Sequence, residues 1–107
     1  MSRDVMAEIK QEVEENPIVL YMKGTKQFPQ CGFSAAVVQV LNSYGVAYKD
    51  VNILADEEKW MALKTFSDWP TMPQIYIDGQ FIGGCDIVRE MHASGELKPL
   101  VEKTTAT

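Results

Sequence analysis

The sequence is poor in the features that announce the commoner binding and catalytic classes. It has only two cysteines, Cys31 and Cys85, and one histidine, His92. A disulfide-stapled secreted domain of this size would usually carry more cysteines, so a reducing compartment is expected. A zinc site built on histidine lacks its ligands. Basic residues do not cluster and the formal charge is −5, which argues against the phosphate neutralisation that nucleic-acid binding needs. No run approaches the roughly 20 apolar residues of a membrane span. The first fifteen residues have neither the apolar core of a secretory signal nor the Arg-rich, acid-poor character of a transit peptide. The expected location is the cytoplasm, or an organelle matrix if a presequence has been removed, with no nucleic-acid or membrane partner.

Repeats, linkers and low-complexity segments are absent too. With 46% apolar content over 107 residues, the chain is expected to form one domain, residues 1–107, around a real core. Val5, Ile9 and Val13 recur at helical spacing until Asn16-Pro17, which predicts a first helix over about residues 3–15. Residues 18–22 are a short apolar run rich in β-branched side chains, and they predict a buried central strand. A turn-rich polar loop, residues 23–30, leads to Cys31 and a second helix that ends between Ser43 and Gly45. Residues 46–51 alternate like a second strand, and 56–67 read as a third helix with Leu63 and Phe66 on its buried side. Residues 74–78 and 80–82 flank Asp78-Gly79, a pair suited to the positive φ of a tight hairpin turn. Two last helices are expected at 85–94 and 96–103. A strand-helix-strand unit pairs in parallel and a hairpin antiparallel, so the four-stranded sheet is mixed and covered by helices. That is the plan of an α/β, thioredoxin-like fold.

Cys31 is the candidate reactive residue. It opens a helix whose free N–H groups and dipole favour an anion, and Lys23 can add a positive charge from the end of the preceding strand. A dipole contribution of roughly 0.3–1 kcal/mol, at most about 2, is worth about one pKa unit or less. The helix alone would leave most of the thiol protonated, so Lys23 is expected to matter. A free cysteine is more often a small buried hydrophobe, but the proline, glycine and polar residues around Cys31 oppose burial. The position three residues on, where a dithiol oxidoreductase keeps its resolving cysteine, is Ser34, and a hydroxyl cannot resolve a disulfide.

Two further segments carry signals. In Trp69-Pro-Thr-Met-Pro-Gln74, Pro73 removes a ladder donor just before a strand and suggests a cis turn. A cis bond there would leave the Met72 backbone free to pair with an extended peptide. In Gly83-Gly-Cys-Asp86, glycine permits close backbone approach, and Asp86 can cap the following helix or accept from a ligand amine.

Tyr21-Met-Lys-Gly24, Cys31-Gly-Phe-Ser34, Trp69-Pro-Thr-Met-Pro-Gln74 and Gly83-Gly-Cys-Asp86, in this order and spacing, resemble the monothiol, CGFS-type glutaredoxins over nearly the whole chain. The resemblance implies glutathione binding, with Cys31 next to the glutathione sulfur, Lys23 near its glycine carboxylate, and Met72 paired with the tripeptide backbone. Cys85 and Asp86 would hold the γ-glutamyl end, and Phe33, Lys64, Thr71, Pro73 and Gly84 complete the implied site. In the third helix the family commonly places an arginine on the glycine carboxylate. This sequence has Trp60 there, with Lys59 or Lys64 as substitutes that cannot copy a guanidinium fork.

The resemblance further implies a labile [2Fe–2S] cluster shared by a homodimer, with Cys31 of each chain and two glutathiones supplying the usual four thiolates. A rival arrangement uses Cys31 and Cys85 of both chains. Transfer of the cluster to apo iron–sulfur proteins, and heterodimers with BolA-like proteins, follow as family expectations. The alternative is an enzyme, a glutathione-dependent oxidoreductase that deglutathionylates proteins through a Cys31 mixed disulfide. A third reading is a thioredoxin-fold adaptor in which Cys31 only packs.

Overall fold

The computed structural model describes residues 3–105. The elements run α1 (Val5–Glu15), β1 (Ile18–Met22), α2 (Gly32–Ser43), β2 (Lys49–Asn52), a 3-10 turn (Ile53–Ala55), α3 (Glu57–Ser67), β3 (Gln74–Ile77), β4 (Gln80–Gly83), α4 (Cys85–Ser94) and α5 (Leu97–Thr105). The sheet order is β2-β1-β3-β4. β1 pairs in parallel with β2 and antiparallel with β3, and β3 pairs antiparallel with β4. This is the mixed four-stranded sheet expected from the element order. No helix among the described residues is long and apolar enough to cross a membrane.

Every residue of β1 is buried, because alternate side chains enter two different cores. Ile18, Leu20 and Met22 join Ile75 and Ile77 beneath α2, α4 and α5, packed with Val37, Leu41, Val88, Leu97 and Val101. Val19 and Tyr21 join Tyr76 on the other face, beneath α1 and α3, with Ile9, Val13 and Leu63. A strand covered on both sides has to be apolar throughout, and the uninterrupted run over 18–22 meets that requirement.

The hairpin forms at Asp78-Gly79, both at positive φ (54° and 76°), as a two-residue primed turn requires. The first helix begins at Val5 because Asp4 caps it, accepting from the Ala7 N–H at 3.1 Å. The second strand begins at Lys49, not at Val46. With Val19 opposite Lys49, residues 46–48 would face Asn16, Pro17 and Ile18, where the chain is only leaving the break after α1 and Pro17 offers no N–H.

The α1–α3 face also holds a polar network. Lys59, buried in α3, donates to Glu12 of α1 at 2.7 Å, and the Tyr21 hydroxyl donates to the other Glu12 oxygen at 2.7 Å. Arg3 spreads its guanidinium over Asp56 (2.9 and 2.6 Å) and Glu8 (2.6 and 2.9 Å). Asp56 meanwhile caps α3 through the Lys59 N–H at 3.1 Å. The Arg3 hydrogen bonds, foremost, hold the Asp56 carboxyl down at about 2 from its ordinary 3.8. A lowered folded-state pKa stabilises above the ordinary value, and the stabilisation disappears as pH falls through the folded value. Asn keeps the cap but not the charge. Asp56→Asn should therefore lower stability near neutrality by up to about 1 kcal/mol, the range of an exposed ion pair. Urea unfolding at a series of pH values should show that gap closing between about 4 and about 2.

Candidate functional site

The site is assembled where β1 ends and α2 begins. Cys31 is the N-cap residue of α2, in extended conformation (φ −150°, ψ 137°), with no side-chain cap hydrogen bond. The Ser34 backbone N–H is the main influence drawing the thiol below its ordinary pKa. Partial burial opposes the shift, while the Phe33 N–H and the charge of Lys23 add to it in that order. Lys23 thus contributes, as expected, but less than the helix-start amides.

Ser34 is fully buried. Its hydroxyl accepts from the Lys23 N–H at 3.1 Å and so ties the end of β1 to the first turn of α2. The intervening loop is pinned at several points. The Gln30 N–H donates to the Lys23 carbonyl at 2.8 Å, the Gly24 N–H to the Asn52 side chain at 3.0 Å, and the Lys26 N–H to Asp50 at 2.9 Å.

A groove of about 650 Å³ opens beside Cys31. Lys23, Cys31, Phe33 and Lys64 line it from β1, α2 and α3, Thr71 and Met72 from the loop before β3, and Gly84, Cys85 and Asp86 from the start of α4. Pro73, expected among them, is buried and not part of the wall. The Met72–Pro73 bond is cis, as the motif suggested, and among the described residues the Met72 backbone has no hydrogen-bond partner. Gly84 caps α4, so Asp86 sits in the first turn without capping it. A Cβ at Gly84 would stand 3.2 Å from both the Pro73 carbonyl oxygen and Trp69 Nε1, closer than ordinary contact, so glycine lets this loop close on α4.

The two thiols differ sharply. Cys31 is half-exposed, whereas Cys85 is buried and desolvation pushes its pKa up. Among the described residues no group of three or more His, Cys, Asp or Glu side chains converges as a metal site.

Lys59 is not a groove residue, since Glu12 holds it on the α1 side. Lys64 alone remains of the two proposed substitutes, and its ammonium lies 5.9 Å from the centre of the Trp60 ring. Trp69 borders the groove, as do Pro70 and Ile87, which sequence reasoning missed; Ile87 follows the glycine motif at helical spacing, and that was its only signal. The brace behind the loop was also missed. Gln74, fully buried, donates to the Trp69 carbonyl at 3.0 Å and accepts from the Tyr76 hydroxyl at 3.3 Å.

A cysteine primed at a helix start, opposite a cis-proline loop on this sheet, defines a thioredoxin-fold thiol protein with one cysteine in its motif. The chain belongs to the glutaredoxin family, in its monothiol branch. The glutaredoxin family profile matches residues 18–82. The chain is 52% identical over 97 residues to a probable monothiol glutaredoxin 2 of Rickettsia conorii, covering 91% of each chain. It is similar to the solution structure of reduced poplar apo GrxS14 (50% identity, TM-score 0.82, 94% and 93% of the two chains). It is also similar to the crystal structure of a buckwheat glutaredoxin–glutathione complex (28% identity, TM-score 0.85, 95% and 91%).

The contrast between the two thiols can be tested directly. At neutral pH an alkylating reagent should modify Cys31 in the native protein and reach Cys85 only on unfolding. Lys23→Met should slow the Cys31 reaction only modestly, because the lysine charge adds less to the shift than the helix-start amides do. Alkylation rates followed by mass spectrometry across pH measure both.

Proposed function

We propose that this chain binds glutathione in the groove beside Cys31 and, as a glutathione-dependent homodimer, holds a labile [2Fe–2S] cluster as cargo for apo iron–sulfur proteins. The observation that carries this reading is the inequality of its two thiols. Such a cluster usually takes four thiolates, and the thiolate is the ligand form of cysteine. Cys31 is accessible and shifted toward the thiolate, while Cys85 is buried and shifted away from it. One chain therefore offers one good ligand. Two chains and two glutathione thiols make four, and the arrangement drawing on Cys85 of both chains is disfavoured.

Several features support glutathione as the groove's ligand. The unpaired Met72 backbone suits an extended tripeptide. Asp86, exposed in the first turn of α4, suits the amine of the γ-glutamyl end. Lys23 and Lys64 suit a carboxylate. The glutathione complex of the buckwheat relative agrees with this assignment, and Phe33, Thr71 and Gly84 complete the walls. Ligands that are not covalently attached make the cluster easier to release, which suits a donor. BolA-like proteins are the further partners proposed, on the family resemblance.

Anaerobic reconstitution with iron, sulfide and glutathione should give a visible-absorbing dimer. Cys31→Ser should abolish the colour and Cys85→Ser should keep it. A colourless wild-type monomer would sink the proposal.

The primed Cys31 thiol also favours a second reading, deglutathionylation. There the Cys31 thiolate attacks the sulfur of the glutathione moiety and releases the protein thiol, and a second glutathione reduces the resulting mixed disulfide to regenerate Cys31 and form oxidised glutathione. With Ser34 at the resolving position and Cys85 buried, turnover of a glutathionylated peptide is expected near background. Rapid turnover dependent on Cys31 would make this the principal function.

A further inference from the structure

Trp60 stands at a site where two positive charges meet. Its ring, half-buried between the α1–α3 core and the groove, has the Lys23 ammonium 5.2 Å and the Lys64 ammonium 5.9 Å from its centre. The two lysines come from different elements, the end of β1 and the last turn of α3. Each is half-buried and lines the same groove. Among the described residues neither makes an ion pair, whereas Arg3 and Lys59 are paired with Glu8, Asp56 and Glu12.

Two ammonium groups gathered on one ring repel each other. The negative face of the indole offsets part of that repulsion, since an aromatic face attracts a cation within about 6 Å. What completes such an arrangement is an anion that can sit against both charges. Position matters as well. Lys23 is held by its backbone to Ser34 and Gln30, and Lys64 lies four residues after Trp60 on α3, one helical turn along the same face. The ring therefore links a cation from the thiol side of the groove to one from the helix across from it.

We propose that Trp60 is a positioning residue: it gathers Lys23 and Lys64 into a two-cation receptor for the terminal carboxylate of the peptide thiol ligand. Recognition at this end is then Coulombic. Ammonium groups act as hydrated point charges without the fork geometry of a guanidinium, so selection for the carboxylate weakens as salt rises, though less than it would between fully exposed charges. The inference rests on the glutathione reading and specifies how one end of that ligand is chosen.

Calorimetric titration of the full chain with reduced glutathione, and with glutathione whose glycine carboxylate is converted to the amide, tests it. The wild-type protein should prefer the acid by about tenfold at low salt and lose part of that preference at high salt. Trp60→Leu should reduce the preference to about two- to threefold, with the affinity for the amide little changed. Trp60→Phe keeps an aromatic face and should retain most of the preference. A purely structural role would weaken acid and amide alike in Trp60→Leu, and that result overturns the proposal. So does a wild-type protein that binds acid and amide equally, an outcome that leaves glutathione binding intact. If neither ligand binds the wild type, the glutathione reading itself fails and this inference falls with it.

Discussion

One hydrogen bond, from the Lys23 N–H to the buried hydroxyl of Ser34, fixes the relation between the central strand and the helix that carries the reactive thiol. Its anchor on the strand side is firm, because β1 is buried on both faces and cannot shift without disturbing two cores. Lys23 is therefore delivered to a set position. The first turn of α2 is drawn to it, and with that turn come the backbone amides that favour the Cys31 thiolate. The loop between has little freedom left, since Asn52 and Asp50 hold it from the edge strand β2. The thiol, the lysine and the groove wall are thus set by the same joint.

Helix N-termini explain why the two cysteines behave oppositely only when burial is considered with them. Cys31 caps α2 and Cys85 opens α4, so each stands where a helix dipole favours an anion. Cys31 is partly open to solvent, and the amides prevail. Cys85 is packed among the side chains beneath α2 and α4, and the loss of hydration outweighs any gain from the helix start and from Arg89. Position in a helix marks a thiol as a candidate, and exposure decides whether it reacts.

Much of this was legible along the chain because it is local. The uninterrupted apolar run of β1, the Asp78-Gly79 turn, the proline before β3 and the loop-to-helix position of Cys31 each depend on a few neighbouring residues. What was not legible depends on distant partners. Lys59 read as a candidate for the groove, but Glu12, 47 residues earlier, holds it on the opposite side of α3. The late start of β2 follows from its register against β1, which no window within residues 46–51 contains. Gln74 looked like an ordinary strand residue, and only the folded loop gives its amide a role. Along the chain Ser34 registers only as the absence of a cysteine; its burial and its bond to Lys23 depend on the fold.

Ser34 is better described by what it supplies than by what it replaces. Its oxygen satisfies a backbone donor in a site closed to water, where an unpaired N–H costs about 1–3 kcal/mol. A cysteine side chain is bulkier, and its sulfur is a weak acceptor, so a thiol at position 34 would loosen the joint that sets Lys23 and the α2 amides. The single-thiol chemistry of Cys31 and the geometry of the β1–α2 joint are consequences of the same residue.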